Sequence, residues 1–172
     1  EGAVLAVEAL ARSEERFRLA MASAPSGMAV VGHDGRFAQV NNSLASMVSQ
    51  SVGWLQRHRL RDIVHVDDWP VIEALQHRLS DGELASGIEE IRLVDAEGST
   101  VRTETSLAAL RAETGEIVSF VAQFIDVTQA REAQAALHHA ATHDPLTLLG
   151  NRRGLSEELG RVLGRIPRTG TR

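Results

Sequence analysis

The apolar and polar positions of this chain change period several times, and each change marks an element. Val4, Leu10, Phe17, Ala20 and Ala24 form a loose apolar stripe at helical spacing that Pro25 and Gly27 end, which predicts an N-terminal helix over 1–24. Met28 to Val31 is a short apolar run, Asp34-Gly35 is hairpin turn chemistry, and Arg36 to Val40 alternates polar with apolar residues. Together these predict a hairpin of antiparallel strands.

Asn41 or Asn42 can cap a helix carrying Leu44, Met47 and Val48, while Trp54 to Gln56 and Leu60 to Val64 are long enough only for brief helical turns. Asp67 and Asp68 can cap the next helix, in which Trp69, Ile72, Leu75, Gln76 and Leu79 recur at helical spacing until Asp81-Gly82. Gly87 to Val94, Thr100 to Leu110 and Glu116 to Val127 are β-rich runs separated by turn residues, a meander of antiparallel hairpins. The last run is apolar at Val118, Phe120, Ala122 and Phe124 on one face and at Ile117, Val121 and Ile125 on the other, so both faces need cover. Helices between the second and third strands can supply one cover. The N-terminal helix or a second copy of the chain can supply the other, and a homodimer meets that need.

After Thr128 the composition is helical from Gln129 to Thr142, with Ala130, Ala133, Leu137 and Ala140 near heptad spacing, so 129–143 is read as a linker helix able to pair with its copy. The fold class expected is mixed α/β in the α+β sense, with a five-stranded antiparallel sheet flanked by short helices.

Composition narrows the chemistry. A chain of 172 residues without cysteine excludes disulfides, thiolate metal sites, cysteine nucleophiles and cysteinyl flavin adducts, and it suggests a reducing, cytoplasmic setting. The net charge of -5 comes without a basic stripe, which argues against a nucleic-acid surface. The longest apolar stretch, Ile117 to Val127, is broken by Ser119, Gln123 and Asp126 and is too short to span a bilayer, and the first residues lack a secretory pattern, so no membrane segment is expected in this fragment.

Two stretches resemble known families. The order of two strands, short helices, a longer helix and three strands, with Asp34-Gly35 in the first hairpin and His65-Val66-Asp67-Asp68 before the longer helix, resembles the PAS family over about Ser13 to Gln129. Asp126-Val127-Thr128 looks like the Asp-Ile-Thr element through which many PAS domains enter their output helix. The string His143-Asp144-Pro145-Leu146-Thr147-Leu148-Leu149-Gly150-Asn151-Arg152-Arg153 resembles the start of GGDEF domains, with Leu148 where that family usually has glycine. From the residues alone, Asp144 and Asn151 are helix caps, and Leu155, Leu159, Val162, Leu163 and Ile166 make one apolar face that needs a partner.

The resemblance divides the chain into an N-terminal helix (1–24), a PAS sensor domain (25–128), a signalling linker (129–143) and an N-terminal fragment of a GGDEF domain (144–172). It implies a sensor that, as a dimer joined through N-terminal helix, sheet face and linker, regulates its own downstream GGDEF domain in cyclic-di-GMP signalling. The signature loop and metal carboxylates of that domain would follow Arg172, so no catalytic residue is assigned and this chain is expected not to be an enzyme. Its parent would be a diguanylate cyclase. Two alternatives stand beside this: a ligand-free PAS interaction module, and a regulator in a GGDEF-phosphodiesterase protein whose GGDEF part is degenerate.

PAS relatives often enclose a small molecule between helices and sheet. The side chains expected there are Met28, Leu44, Met47, Leu60, Ile63, Ile72, Leu75, Phe120 and Phe124, which equally suit a filled core. Haem-binding relatives use a histidine about eleven residues before the Gly-Glu turn, and counting back from Gly82 reaches Val71, with His58, His65 and His77 all elsewhere, so haem is disfavoured. The cofactor is therefore unknown. His139 and His143 stand at a chelating spacing, yet they read as a solvated linker face and no metal is assigned. Asp126, Thr128, Asp144, Asn151 and Arg152 are the residues expected to couple sensor to output, the first two by hydrogen-bonding exposed backbone where strand gives way to helix.

Overall fold

The computed structural model describes residues 2–142 and divides the chain into two compact units that part after Val127. The first unit runs α1 (Gly2–Ser23), β1 (Gly27–Gly32), β2 (Phe37–Val40), α2 (Asn42–Met47), α3 (Val52–Leu55), a 3-10 turn (Leu60–Asp62), α4 (Trp69–Ser80), β3 (Ser86–Val94), β4 (Thr100–Arg111) and β5 (Ile117–Asp126). The second begins with α5 (Thr128–Thr142), one residue earlier than composition suggests.

The described strands form a five-stranded sheet in the order β2-β1-β5-β4-β3, antiparallel throughout. The last strand pairs with the first, from Gly27 opposite Phe124 to Gly32 opposite Ser119. That pairing closes the sheet only when the whole domain is present, because its partners lie more than eighty residues apart. α2, α3 and α4 sit on one face. Ala29 and Val31 of β1, Leu107 of β4 and Phe120, Ala122 and Phe124 of β5 pack there with Leu44, Leu60, Ile63, Ile72, Leu75 and Leu79 in one continuous core. α4 buries Ile72, Leu75 and Leu79 at helical spacing and stops at Gly82, whose φ of 77° is a left-handed conformation that costs glycine little.

The two faces of β5 differ from the simple alternation. Phe120, Ala122 and Phe124 are buried, but Val118, expected on their face, is 60% exposed. The register slips between Leu110 and Arg111, so Ser119 pairs with Leu110 and Ile117 with Arg111, leaving Val118 as the extra residue of a bulge. The outer face of the sheet remains open at Ile88, Leu110 and Ile125, and the side chains of α1 from 11 to 20, Phe17 and Leu19 among them, are exposed. Over 11–20, α1 therefore does not provide the second cover that the sequence calls for.

Candidate ligand core and output junction

Of the nine pocket candidates, Leu44, Leu60, Ile63, Ile72, Leu75, Phe120 and Phe124 come together in the buried core, and Met47 packs half-buried against it. Met28 does not. β1 alternates, with Gly27, Ala29 and Val31 buried towards the helices, so the strand turns the half-buried Met28 to the opposite face. The apolar run Met28 to Val31 gave no alternation from which to choose a face.

Polar groups inside this core are few and specific. Thr103 and Thr105 of β4 are buried, with their hydroxyls 3.0 Å apart, and Thr103 Oγ1 donates to the carbonyl of Ile91 at 3.2 Å. This leaves Thr105 to donate to Thr103. Trp69, at the start of α4, packs against the core, and its Nε1–H is buried without a hydrogen-bond partner among the described residues. The Arg61 guanidinium lies 5.8 Å from the Trp69 ring, a cation–π distance. Trp54 and His58 stack with centroids 3.6 Å apart, and His58 Nδ1 lies 2.7 Å from the Trp54 carbonyl.

Three polar side chains hold the helices in place. Asn41 is the cap of α2, as its residue type predicts, but capping is only part of its work. Its Oδ1 accepts from the amides of Leu44 (3.0 Å) and Met28 (2.9 Å), and its Nδ2 donates to the carbonyls of Met21 (2.9 Å) and Ser26 (3.0 Å). One buried amide thus joins α1, β1 and α2, a role invisible locally because its partners lie up to twenty residues away.

α4 is fastened at both ends by arginines of neighbouring strands. Asp68 stands at the cap position, but its side chain makes no cap bond and instead receives Arg92. Arg92 Nε and Nη2 reach Asp68 Oδ2 and Oδ1 at 2.9 and 2.7 Å, and the Arg92 amide adds a third bond at 2.8 Å. The guanidinium hydrogen bonds hold the Asp68 carboxyl below the usual carboxylate range against the opposing effect of burial, with His65 a minor charge contribution in the same direction as Arg92. At the other end Arg111 Nη2 donates to the carbonyls of Leu79 (2.6 Å) and Ser80 (3.2 Å), and its Nη1 to Gly115 (2.8 Å). These bonds satisfy carbonyls that the helix end leaves open.

Beyond the core, an open cleft of ≈210 Å³ lies between the β1–β2 turn, the outer side of α4 and the start of β5, lined by His33, Glu73, Gln76, His77, Ser80, Ile117 and Phe120. Sequence reading passed over it, since its residues come from three separated stretches.

At the output junction, Asp126 ends β5, exposed and opposite Thr103, and the Val127 amide donates to the Arg102 carbonyl at 2.9 Å. Thr128 opens α5. Asp144, Asn151, Arg152 and the 144–172 fragment lie outside the described residues, as does His143. The described residues hold no group of three His, Cys, Asp or Glu arranged to bind a metal, and none of their helices is long and apolar enough to cross a membrane.

A five-stranded antiparallel sheet with short helices on one face and its first and last strands paired defines a PAS-type sensory module. The model of the family described as PAS fold matches residues 21–132, and the chain belongs to that family. A solved PAS domain from Colwellia psychrerythraea superposes with a TM-score of 0.62 at 14% identity, covering 67% of this chain and 97% of that one. An uncharacterized protein of Sinorhizobium fredii is 31% identical over 92% of this chain and 20% of its own length. The probable diguanylate cyclase DgcE of Escherichia coli is 25% identical over 73% of this chain and 11% of its own length. The chain thus spans a fifth or less of the curated relatives it matches.

Proposed function

We propose that this PAS domain is the sensory and dimerising module of a cytoplasmic diguanylate cyclase, and that α5 carries its state to a GGDEF domain beginning near Asp144. The observation that carries the reading is the order of parts: a PAS sheet ending at Asp126, a helix from Thr128, then the string Asp144 to Arg153. The similarity to a probable diguanylate cyclase over 73% of this chain supports it. Condensing two GTP molecules requires two GGDEF domains face to face. A helix pair set by two PAS domains adjusts that meeting without entering the chemistry.

The chain itself carries no assigned catalytic residue, and Asp126 and Thr128 act as coupling residues. A small molecule with a hydrogen-bond acceptor is the signal that suits the core, because the buried Trp69 Nε1–H is an unmatched donor at its edge. The second reading, a ligand-free interaction module, is favoured by the core's closure: Leu44, Leu60, Ile63, Ile72 and Phe124 are all among its fully buried side chains. Native mass spectrometry of the purified chain beside a denatured control separates these. A dimer carrying extra mass that denaturation releases supports the sensor, a dimer of bare chain mass supports the interaction module, and a monomer refutes both.

A further inference from the structure

We propose that the cleft between α4 and the β1–β2 turn binds a small organic ammonium ion carrying an apolar group. Glu73, Gln76, His77 and Ser80 fall on one stripe of α4 because they are spaced by three or four residues, while Ile72, Leu75 and Leu79 face the core roughly a third of a turn round the helix. His33 faces them from the hairpin, and Ile117 and Phe120 supply an apolar floor. With histidines counted neutral, Glu73 holds the only formal charge in this lining, and it makes no hydrogen bond or ion pair within the described residues. The Arg111 guanidinium at the end of α4 is engaged by the Leu79, Ser80 and Gly115 carbonyls.

The donor and acceptor inventory fits the charge. Two carboxylate oxygens, the Gln76 carbonyl and one ring nitrogen from each histidine are acceptors, which suits the three N–H donors of an ammonium group. The volume of ≈210 Å³ admits a molecule of single-ring size. Because no three ligands here have metal geometry, the cation is one bound by hydrogen bonds rather than by coordination. Phe120 belongs to both the cleft floor and the core, so an occupant presses on β5, the strand that ends at the output junction.

The test is a titration of the full chain with phenethylamine and, separately, with hydrocinnamate, a carboxylate of similar size, read by amide chemical shifts in heteronuclear NMR. Saturable shifts at Glu73, Gln76, His77 and Phe120 are expected with the amine at millimolar concentrations, as befits so small a ligand, and not with the carboxylate. Glu73→Gln should weaken amine binding roughly tenfold through loss of the charge-assisted bond, with its melting temperature unchanged because Glu73 is exposed. Glu104→Gln, on the outer sheet face, should bind as the parent does. Equal shifts with both compounds, shifts confined to other residues, or undiminished binding by Glu73→Gln would each overturn the proposal.

Discussion

Replacing Asn41 tests whether one buried amide holds the N-terminal half of the domain together. In Asn41→Ala the amides of Met28 and Leu44 lose their acceptor and the carbonyls of Met21 and Ser26 lose their donor. Each bond contributes a net ~0.5–1.5 kcal/mol, and buried groups left unpaired make the loss larger, so the four together are worth about 4 kcal/mol. A domain of this size has a total stability of only ~5–15 kcal/mol. With a urea dependence of ~2 kcal/mol per molar, the midpoint should fall by about 2 M. Asn41→Asp separates capping from the wider network. As a cap, aspartate equals asparagine, but here its second oxygen would face the carbonyls of Met21 and Ser26, so at neutral pH it should destabilise as much as alanine does. Lowering the pH protonates that carboxylate and restores one donor, so its deficit against the parent should shrink in acid. An aspartate variant with the parent's midpoint at neutral pH would refute the reasoning.

Other consequences arise from the same packing. Ile72→Ala should cost ~2–5 kcal/mol in chemical denaturation, because Ile72 is wholly buried among core side chains. A Cβ at Gly87 would run into Leu75 Cδ1, so Gly87→Ala should lose ~1–3 kcal/mol, recovered in part by Leu75→Val. The Asp68 carboxyl is lowered in the folded state, so its bond with Arg92 contributes fully above the ordinary carboxylate pKa of ~3.9 and is lost as pH falls through the lower folded value. Arg92→Met should therefore destabilise the domain near neutrality and flatten the stability profile below about pH 4, read by chemical denaturation across pH. If the proposed dimer forms through the open sheet face, Ile88→Glu and Val118→Asp, on that face and its bulge, should dissociate it in analytical ultracentrifugation while changing monomer stability by no more than about 0.5 kcal/mol.

The elements were legible because local chemistry announces them. Asp34-Gly35, Asp81-Gly82 and Asp95 to Gly98 fall at real turns, and the stripe of Ile72, Leu75 and Leu79 is the buried side of α4. Most of the buried core followed from the same spacing. The features that stayed hidden depend on contacts between distant residues. The face of Met28 is set by pairing with Gln123, the exposure of Val118 by a slip against Arg111, and the fate of Asp68 by Arg92, a partner twenty-four residues away. The local rule made Asp68 a helix cap, but a bidentate guanidinium is a stronger claimant than a backbone amide. The Glu73 cleft required the whole fold, since the hairpin carrying His33 meets α4 only when the sheet has formed.

The central claim, that the helix after this PAS domain sets the meeting of two GGDEF domains, is tested most directly by changing the helix phase. In a chain that carries this PAS domain, α5 and the proposed GGDEF domain, two residues inserted within α5 rotate the domain that follows by ~200°, whereas seven rotate it by nearly two full turns. The account predicts that cyclic-di-GMP synthesis from GTP changes sharply with the two-residue insertion and returns towards the parent rate with seven. Equal rates from parent and both insertions would contradict it.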